Sequence, residues 1–192
     1  MLHKHIKLEE RSIGYSMAKK GTTKYFSNKQ EKDVAKQIGG NTVVASGALW
    51  HASSDVRNSQ FLVECKTTSK DYYTITAKVW EKICKEANRD RMREPLLVID
   101  LHNNHKERYV CFPFTIIPFT LGGENDVTPL WLKGNIVSVS ANAKQFRFFG
   151  VEKHHATTVT FYSSNKKRYN TIVLMRFKDF ERFCNEVLFK EE

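Results

Sequence analysis

Residues 55–66 read Asp-Val-Arg-Asn-Ser-Gln-Phe-Leu-Val-Glu-Cys-Lys, and this stretch is the most informative part of the chain. Its apolar run at residues 61–63 favours a β-strand, and Asn58-Ser59 just before it has the composition of a turn. The pattern predicts a β-hairpin with a two-residue loop at Asn58-Ser59. The strand pairs expected from that loop are Arg57 with Gln60, Val56 with Phe61 and Asp55 with Leu62.

The predicted hairpin gathers charged side chains on one face. Alternation along a strand places Glu64 and Lys66 on the same side, with Asp55 diagonal to Glu64. Two carboxylates at that spacing can share a divalent cation, and an ammonium beside them can neutralise a phosphate. The alternative is an exposed hairpin with solvated charges. Three apolar residues in a row favour instead a strand covered on both faces, where charges need partners.

A helix before the hairpin carries a further acid. Ser27 with Gln30 three residues later is a capping-box pattern that predicts the helix start, and Gly39-Gly40 predicts its end. At helical spacing the inward face contains Glu31 together with Val34, Ala35 and Ile38. One interpretation places Glu31 in the active site. The other is that a carboxylate in the first turn is simply favoured by the helix dipole.

The order of these elements resembles the PD-(D/E)xK nuclease superfamily, and within it the Holliday junction resolvases of archaea and bacteriophages. The likeness covers about residues 19–112. It includes the helix with an inward Glu31, a strand ending near Ser46-Gly47-Ala48, Asp55-Val56, the strand through Glu64-Cys65-Lys66-Thr67, a helix, and the strand Pro95-Leu96-Leu97-Val98-Ile99-Asp100. The proline that precedes the Asp in the family is replaced here by Ser54.

The resemblance implies an α/β fold with a restriction-endonuclease-like αβββαβ core and a mixed central sheet. Carried over residue by residue, it implies that Asp55, Glu64 and the Cys65 carbonyl are metal ligands. It also implies Glu31 as an accessory acid, Lys66 as the catalytic lysine, and Ser46 as a small residue near the scissile phosphate. An all-oxygen ligand set favours Mg²⁺, for which Mn²⁺ should substitute.

Bulk composition is compatible with that chemistry. The chain has 192 residues, enough for one domain, and 41% of them are hydrophobic, so it can bury a core. Its net charge of +10 suits a polyanionic partner. The four cysteines lack CxxC spacing and are expected to be buried thiols. The sequence contains no phosphate-binding loop, so no nucleotide cofactor is expected. Without a secretory segment or a long apolar run, the expected location is the cytoplasm, including that of a phage-infected bacterium.

Basic residues are the candidates for DNA contact. A helix is predicted from near Thr74, with an apolar face formed by Thr76, Val79, Trp80, Ile83, Cys84 and Ala87. Lys78, Lys82 and Arg89 line up with Lys85 on another face of this helix. Alternatively, these side chains form a solvated surface with the ion pairs Glu81–Lys85 and Lys82–Glu86. Lys70, in the loop after the predicted catalytic strand, lies closer to the chemistry.

The remainder of the chain is organised around that core. We predict a basic arm at residues 1–26, a nuclease core at 27–112, and a β-rich elaboration with a closing strand and helix at 113–192. His102-Asn103-Asn104-His105 is interpreted as a hairpin loop rather than a metal site. In the elaboration, strands are expected at residues 135–140, 145–149, 157–162 and 171–175, followed by a helix at 178–189.

The sequence therefore predicts an Mg²⁺-dependent endodeoxyribonuclease that resolves four-way junctions or is otherwise selective for DNA structure. Because a junction needs two symmetric nicks, a homodimer is expected, and the β-rich segment after Pro113 with Phe146, Phe148 and Phe149 is a candidate for its surface. Ordinary core packing explains these aromatic residues equally well. One alternative is a restriction-type or DNA-processing nuclease on the same fold. The other is a DNA-binding protein without catalysis. No membrane association is expected.

Overall fold

The structure is a computed structural model of the chain. It describes residues 19–43, 54–101, 107–117, 136–139, 145–148, 156–162 and 169–188. Helix α1 spans Thr23–Gln37, α2 spans Ala77–Arg89 and α3 spans Phe177–Phe183. The strands are β1 (Asn41–Thr42), β2 (Val56–Arg57), β3 (Phe61–Thr68), β4 (Tyr73–Thr76), β5 (Glu94–Leu101), β6 (Glu107–Pro113), β7 (Ile136–Val139), β8 (Gln145–Phe148), β9 (Ala156–Tyr162) and β10 (Tyr169–Arg176). No helix among these residues is long and apolar enough to cross a membrane.

Helix α1 begins earlier than the capping box predicted. Thr22 is its N-cap, and the Thr22 hydroxyl accepts a hydrogen bond of 3.3 Å from the Tyr25 backbone amide. The predicted start at Ser27 is therefore wrong, because the Thr22 hydroxyl already satisfies an amide of the first turn. The helix ends close to the expected place, with Gly39 following it at a positive φ of 63°.

The hairpin of β2 and β3 is present, but its predicted register is wrong. Val56 pairs with Val63 and Arg57 with Leu62, so each β2 residue lies opposite a partner two positions further along than expected. The loop is longer than two residues because the Asn58 carboxamide oxygen accepts hydrogen bonds from the amides of Gln60 and Phe61. A shift of two residues preserves the alternation of faces, so Asp55 and Glu64 remain on one side.

Strands β3 and β5 are parallel neighbours in the middle of the sheet, and α2 makes the crossover between them. Their apolar runs are buried on both faces, as expected for parallel strands under helices. Helix α2 begins at Ala77 with Thr76 as N-cap, not near Thr74. Residues 73–76 form β4 instead, because their backbone pairs antiparallel with β8.

The described strands form one eight-stranded sheet and one two-stranded ribbon. The sheet has the order β1-β2-β3-β5-β6-β10-β9-β7, and the ribbon consists of β4 and β8. Only the pairs β3–β5 and β7–β9 of this sheet are parallel. The predicted α/β fold with a mixed sheet and an αβββαβ core is therefore present. The strands expected in the C-terminal part are also present, with bounds that differ by one to two residues at most.

The sheet has a hydrophobic core on each face. One core contains residues of α1 and α3, including Val34, Ala35 and Phe180. The other contains Trp80 and Ile83 of α2. Helix α3 is held by aromatic contacts, since the Phe180 ring lies 5.0 Å from that of Phe112 and 5.8 Å from that of Phe61. The predicted last helix at residues 178–189 is present, as α3 continued by a π-helical turn at Cys184–Leu188.

The hairpin after β5 and the state of the cysteines were also predicted. Strands β5 and β6 pair antiparallel with Leu101 opposite Glu107, so they form the predicted hairpin, while residues 102–106 of its loop lie outside the described residues. All four cysteines are free thiols, and Cys65, Cys111 and Cys184 are buried. Ser46 and the basic arm up to residue 18 also lie outside the described residues.

Candidate active site

Asp55 is held beside β3 by its backbone and its side chain. Its amide donates a 3.0 Å hydrogen bond to the Val63 carbonyl, and its Oδ2 accepts one of 2.8 Å from the Cys65 amide. These bonds continue the β2–β3 pairing and bring Asp55 opposite Glu64. The hairpin therefore juxtaposes the two predicted carboxylates on adjacent strands.

Glu64 and Lys66 form an ion pair on the same face of β3. The Lys66 Nζ lies 2.5 Å from the Glu64 Oε1, and the Glu64 side chain is only 12% exposed. Burial by itself would lower the pKa of Lys66, but the hydrogen bond and charge of Glu64, together with the charge of Asp55, raise it above its ordinary value. Lys66 is therefore a fixed cation at neutral pH.

Glu31 approaches this group from α1. Because the helix starts at Thr23, Glu31 lies beyond the first turn, and the helix dipole no longer explains its presence. Burial raises the pKa of Glu31 to about 7, with further raising by Asp55 and Glu64 and an opposing effect of Lys66. The structure therefore places all four predicted catalytic residues in one electrostatically coupled group.

Gln30 is a residue of this site whose role the sequence analysis missed. It is 2% exposed, and its Nε2 donates hydrogen bonds of 3.0 Å to the Lys66 carbonyl and 3.3 Å to the Val98 carbonyl. This amide ties α1 to β3 and β5 at the level of the ion pair. Gln30 therefore positions Glu31, its neighbour in the helix. Its place four residues before the buried Val34 was the available signal.

Ser54, directly before Asp55, has a left-handed backbone. Its φ is 70°, a region that proline cannot enter and that other non-glycine residues enter at some cost. The side chain is buried, and its hydroxyl finds no hydrogen-bond partner among the described residues. Local strain therefore precedes Asp55, and a proline would not fit this conformation.

Cys65 can contribute to a cation site through its backbone. Burial raises the pKa of its thiol well above the usual value, and Asp55 and Glu31 add to that effect, so the thiol stays neutral. The Cys65 amide points toward Asp55. Since the N–H and C=O of a strand residue point to the same neighbouring strand, its carbonyl faces the side of Asp55 as well.

These donors fit a hard cation that keeps several waters. Among the described residues, no three Asp, Glu, His or Cys side chains are close enough to form a metal site by themselves. Mg²⁺ does not need such a site, because one or two carboxylates commonly hold it together with waters. Asp55, Glu64 and the Cys65 carbonyl supply oxygen only. The raised pKa of Glu31 also reflects a crowding of negative charge that a cation would relieve.

Tyr73, at the start of β4, is a second residue that the sequence analysis missed. It is half-buried, and burial raises its pKa, with Lys66 acting in the opposite direction and Glu64 adding to the rise. The charges of Lys66 and Glu64 are therefore felt by Tyr73 at the start of the β4–β8 ribbon.

The predicted DNA-contacting cations lie at the surface. Lys70, in the loop after β3, is exposed, and so are Lys78, Lys82 and Arg89 of α2. The Lys82 Nζ lies 3.6 Å from a Glu86 carboxylate oxygen, which is one of the pairs expected for a solvated surface. The buried apolar face of α2 is confirmed at Trp80, Ile83 and Ala87. DNA contact by the four cations stays a prediction.

Comparison with known proteins adds little to this geometry. No family model matches the chain, and none of the curated proteins matches it by sequence. Among solved structures, it is similar to a Holliday junction resolvase from the archaeal hyperthermophile Archaeoglobus fulgidus, at a TM-score of 0.35 and 19% identity. The match covers 47% of this chain and 78% of that chain. A TM-score this low does not establish a common fold, so no inference rests on it.

Proposed function

We propose that this protein is a metal-dependent endonuclease that hydrolyses phosphodiester bonds in DNA. The observation that supports this most is the group of Asp55, Glu64 and Lys66 at the β2–β3 hairpin, to which Glu31 of α1 is electrostatically coupled. Two carboxylates, a neutral main-chain carbonyl and a fixed ammonium are suited to holding a hard cation and a phosphate together. The net charge of +10 supports a polyanionic substrate.

In this proposal Asp55, Glu64 and the Cys65 carbonyl hold Mg²⁺. When bound, the cation would lower the pKa of water and offset phosphate charge. Lys66 contributes a positive charge near the scissile phosphate or orients the attacking water, and Glu64 and Asp55 raise its pKa in the metal-free protein. Glu31, with a pKa of about 7 in the metal-free protein, is suited to exchange a proton near neutral pH.

The substrate we propose is branched DNA, with the four-way junction first. This choice follows the sequence resemblance to junction resolvases. Resolution takes two symmetric nicks, and one site per chain cuts one strand at a time, so we propose a C₂ homodimer. Light scattering of the free protein and of its junction complex tests the assembly. A strict monomer in both would move the proposal to nicking or end-processing, with the same site.

The cleavage test uses labelled four-way, Y-shaped and linear DNA, with and without Mg²⁺. Wild type should cut the branched substrates only with the cation, and Asp55→Asn, Glu64→Gln and Lys66→Ala should each abolish cutting. Asp55→Asn and Glu64→Gln should keep or raise DNA affinity, because each removes negative charge near a phosphate. Sequence-specific cutting of linear duplex would instead indicate a restriction-type enzyme, and salt-dependent binding without any nicking a non-catalytic binding protein.

A second readout does not depend on cleavage. Mg²⁺ should raise the melting temperature of wild type, because a ligand that binds only the folded state stabilises it. The increase should be lost in Asp55→Asn and in Glu64→Gln. Asp33→Asn, which changes an exposed carboxylate on α1, serves as the control and should retain the increase. An equal increase in all four proteins would show that the cation binds elsewhere.

A further inference from the structure

The β4–β8 ribbon carries a cluster of two cations around one aromatic ring. The Arg147 guanidinium carbon lies 4.5 Å from the centroid of the Tyr72 ring, and the Lys70 Nζ lies 5.3 Å from it. Lys70 and Arg147 are exposed, while Tyr72 is half-buried. Cations at these distances are attracted to the ring face, so the tyrosine holds both charges in place.

The strand register explains why these side chains meet. Arg147 of β8 pairs with Thr74 of β4, and Tyr72 precedes Thr74 by two residues, so Tyr72 and Arg147 are diagonal neighbours on one face. The other face of β4 carries Tyr73 and the fully buried Ile75, which pack against the core beneath α2. One face of the ribbon is therefore anchored, and the opposite face presents the two cations.

The position of this face relates it to the candidate active site. Lys66 lies in β3, which ends at Thr68, and Lys70 and Tyr72 follow within six residues of Lys66 in the chain. The cluster is therefore attached directly to the strand that carries the proposed catalytic residues. An arginine ordered on a ring is suited to a phosphate because less freedom is lost when the fork of its guanidinium binds.

We propose that Lys70, Tyr72 and Arg147 form a clamp for backbone phosphates of the DNA strand that enters the active site. This proposal rests on the proposed nuclease function and adds a binding element from the β-rich part of the chain. Lys70 and Arg147 contact phosphates, and Tyr72 is a positioning residue that orders them. The clamp reads no base, so it serves any DNA sequence.

The test measures DNA affinity as a function of salt in the Glu64→Gln background, without divalent cation, so that no strand is cut. For duplex arms, each lost phosphate contact should reduce the slope of log K against log salt by about 0.9. Lys70→Ala with Arg147→Ala should therefore reduce it by about 1.8. Lys178→Ala removes an exposed cation from α3, on the opposite face of the sheet, and should leave the slope unchanged.

The role of the ring is tested at constant charge. Tyr72→Phe keeps an aromatic face and should bind like the background protein, whereas Tyr72→Ala should weaken binding about 2- to 5-fold, the equivalent of an exposed cation–π contact. Asp71→Asn, which removes an exposed acid between Lys70 and Tyr72, should strengthen binding. Equal losses in Tyr72→Phe and Tyr72→Ala would refute a role for the ring face.

Single methylphosphonate linkages in the DNA then locate the contact. One or two positions near the cleavage site should weaken binding of the background protein and have no further effect on the Arg147→Ala variant. Additive losses at every position would refute the clamp.

If the background protein binds DNA with a steep salt slope that the double variant shares, the clamp is wrong and the nuclease proposal stands. If wild type neither binds nor cuts DNA, the proposed function itself fails. Thermal unfolding confirms that each variant is folded.

Discussion

Replacing Glu31 by Gln should stabilise the metal-free protein at pH 8 and have little effect near pH 4.5. The pKa of Glu31 is raised from 4.5 to about 7, chiefly by burial. A carboxyl with a raised pKa contributes stability that is fully present below the unfolded-state value and is lost as the pH rises through the folded-state value. Gln resembles the protonated form and removes that loss, so the difference should develop between about pH 4.5 and 7.

The size of the effect follows from the same values. A rise in the pKa of Glu31 from 4.5 to about 7 corresponds to a free-energy cost of at most about 3.4 kcal/mol for the ionised form in the folded protein. Glu31 is partly exposed, and water screens its charge, so we expect about 1 to 2 kcal/mol at pH 8. In a chain of this size that corresponds to a rise of about 2 to 8 °C in the melting temperature.

The assay is urea or thermal unfolding in EDTA at a series of pH values. Asp33→Asn is the matched control, because Asp33 is an exposed carboxylate on the same helix and should show no comparable gain. A Glu31→Gln variant that is equally stabilised at pH 5 and pH 8 would contradict the reasoning, since the gain would then not come from ionisation. Absence of any gain at pH 8 would show that the carboxylate is well solvated.

Two further predictions concern residues that hold the site in place. Gln30→Leu should destabilise the protein by about 1 to 3 kcal/mol in urea unfolding, because the buried carbonyls of Lys66 and Val98 lose a donor. Its turnover should fall more than its DNA affinity, and unchanged kinetics would assign Gln30 a purely structural role. Gly40→Ala should be destabilising by about 1 to 3 kcal/mol, since a Cβ at this position would lie 2.7 Å from the Arg57 carbonyl oxygen and force the backbone to move. A wild-type unfolding midpoint for Gly40→Ala would show that this contact relaxes at no cost.

The sequence predicted the hairpin face correctly in spite of a wrong loop. The assumption of a two-residue turn ignored the ability of Asn58 to cap two amides, and the register was therefore off by two. An even shift leaves every side chain on its face, so the association of Asp55, Glu64 and Lys66 survived the error. A shift of one residue would have separated them.

The helix start was wrong for a different reason. Thr22 and Ser27 are both acceptable N-caps, and local sequence cannot choose between them when the residues after each are compatible with a helix. The choice matters here because it decides whether Glu31 lies in the first turn. Gln30 was assigned to a capping box for the same reason, although its buried contacts are with Lys66 and Val98, which follow far along the chain.

The ribbon could not be predicted, since its two strands are distant in the sequence and both are short. Nothing in the sequence near Tyr73–Thr76 indicates a partner strand, and the helical pattern of α2 continues toward Thr74, which is why a helix was predicted there. The pairing with β8 gives the β-rich part of the chain a connection to the active site. Strand β10 returns beside β6 in the large sheet, whereas β8 pairs with β4, which begins seven residues after Lys66 in the chain. Under the proposed clamp, Arg147 of β8, which lies over the Tyr72 ring, makes the elaboration part of the substrate-binding surface.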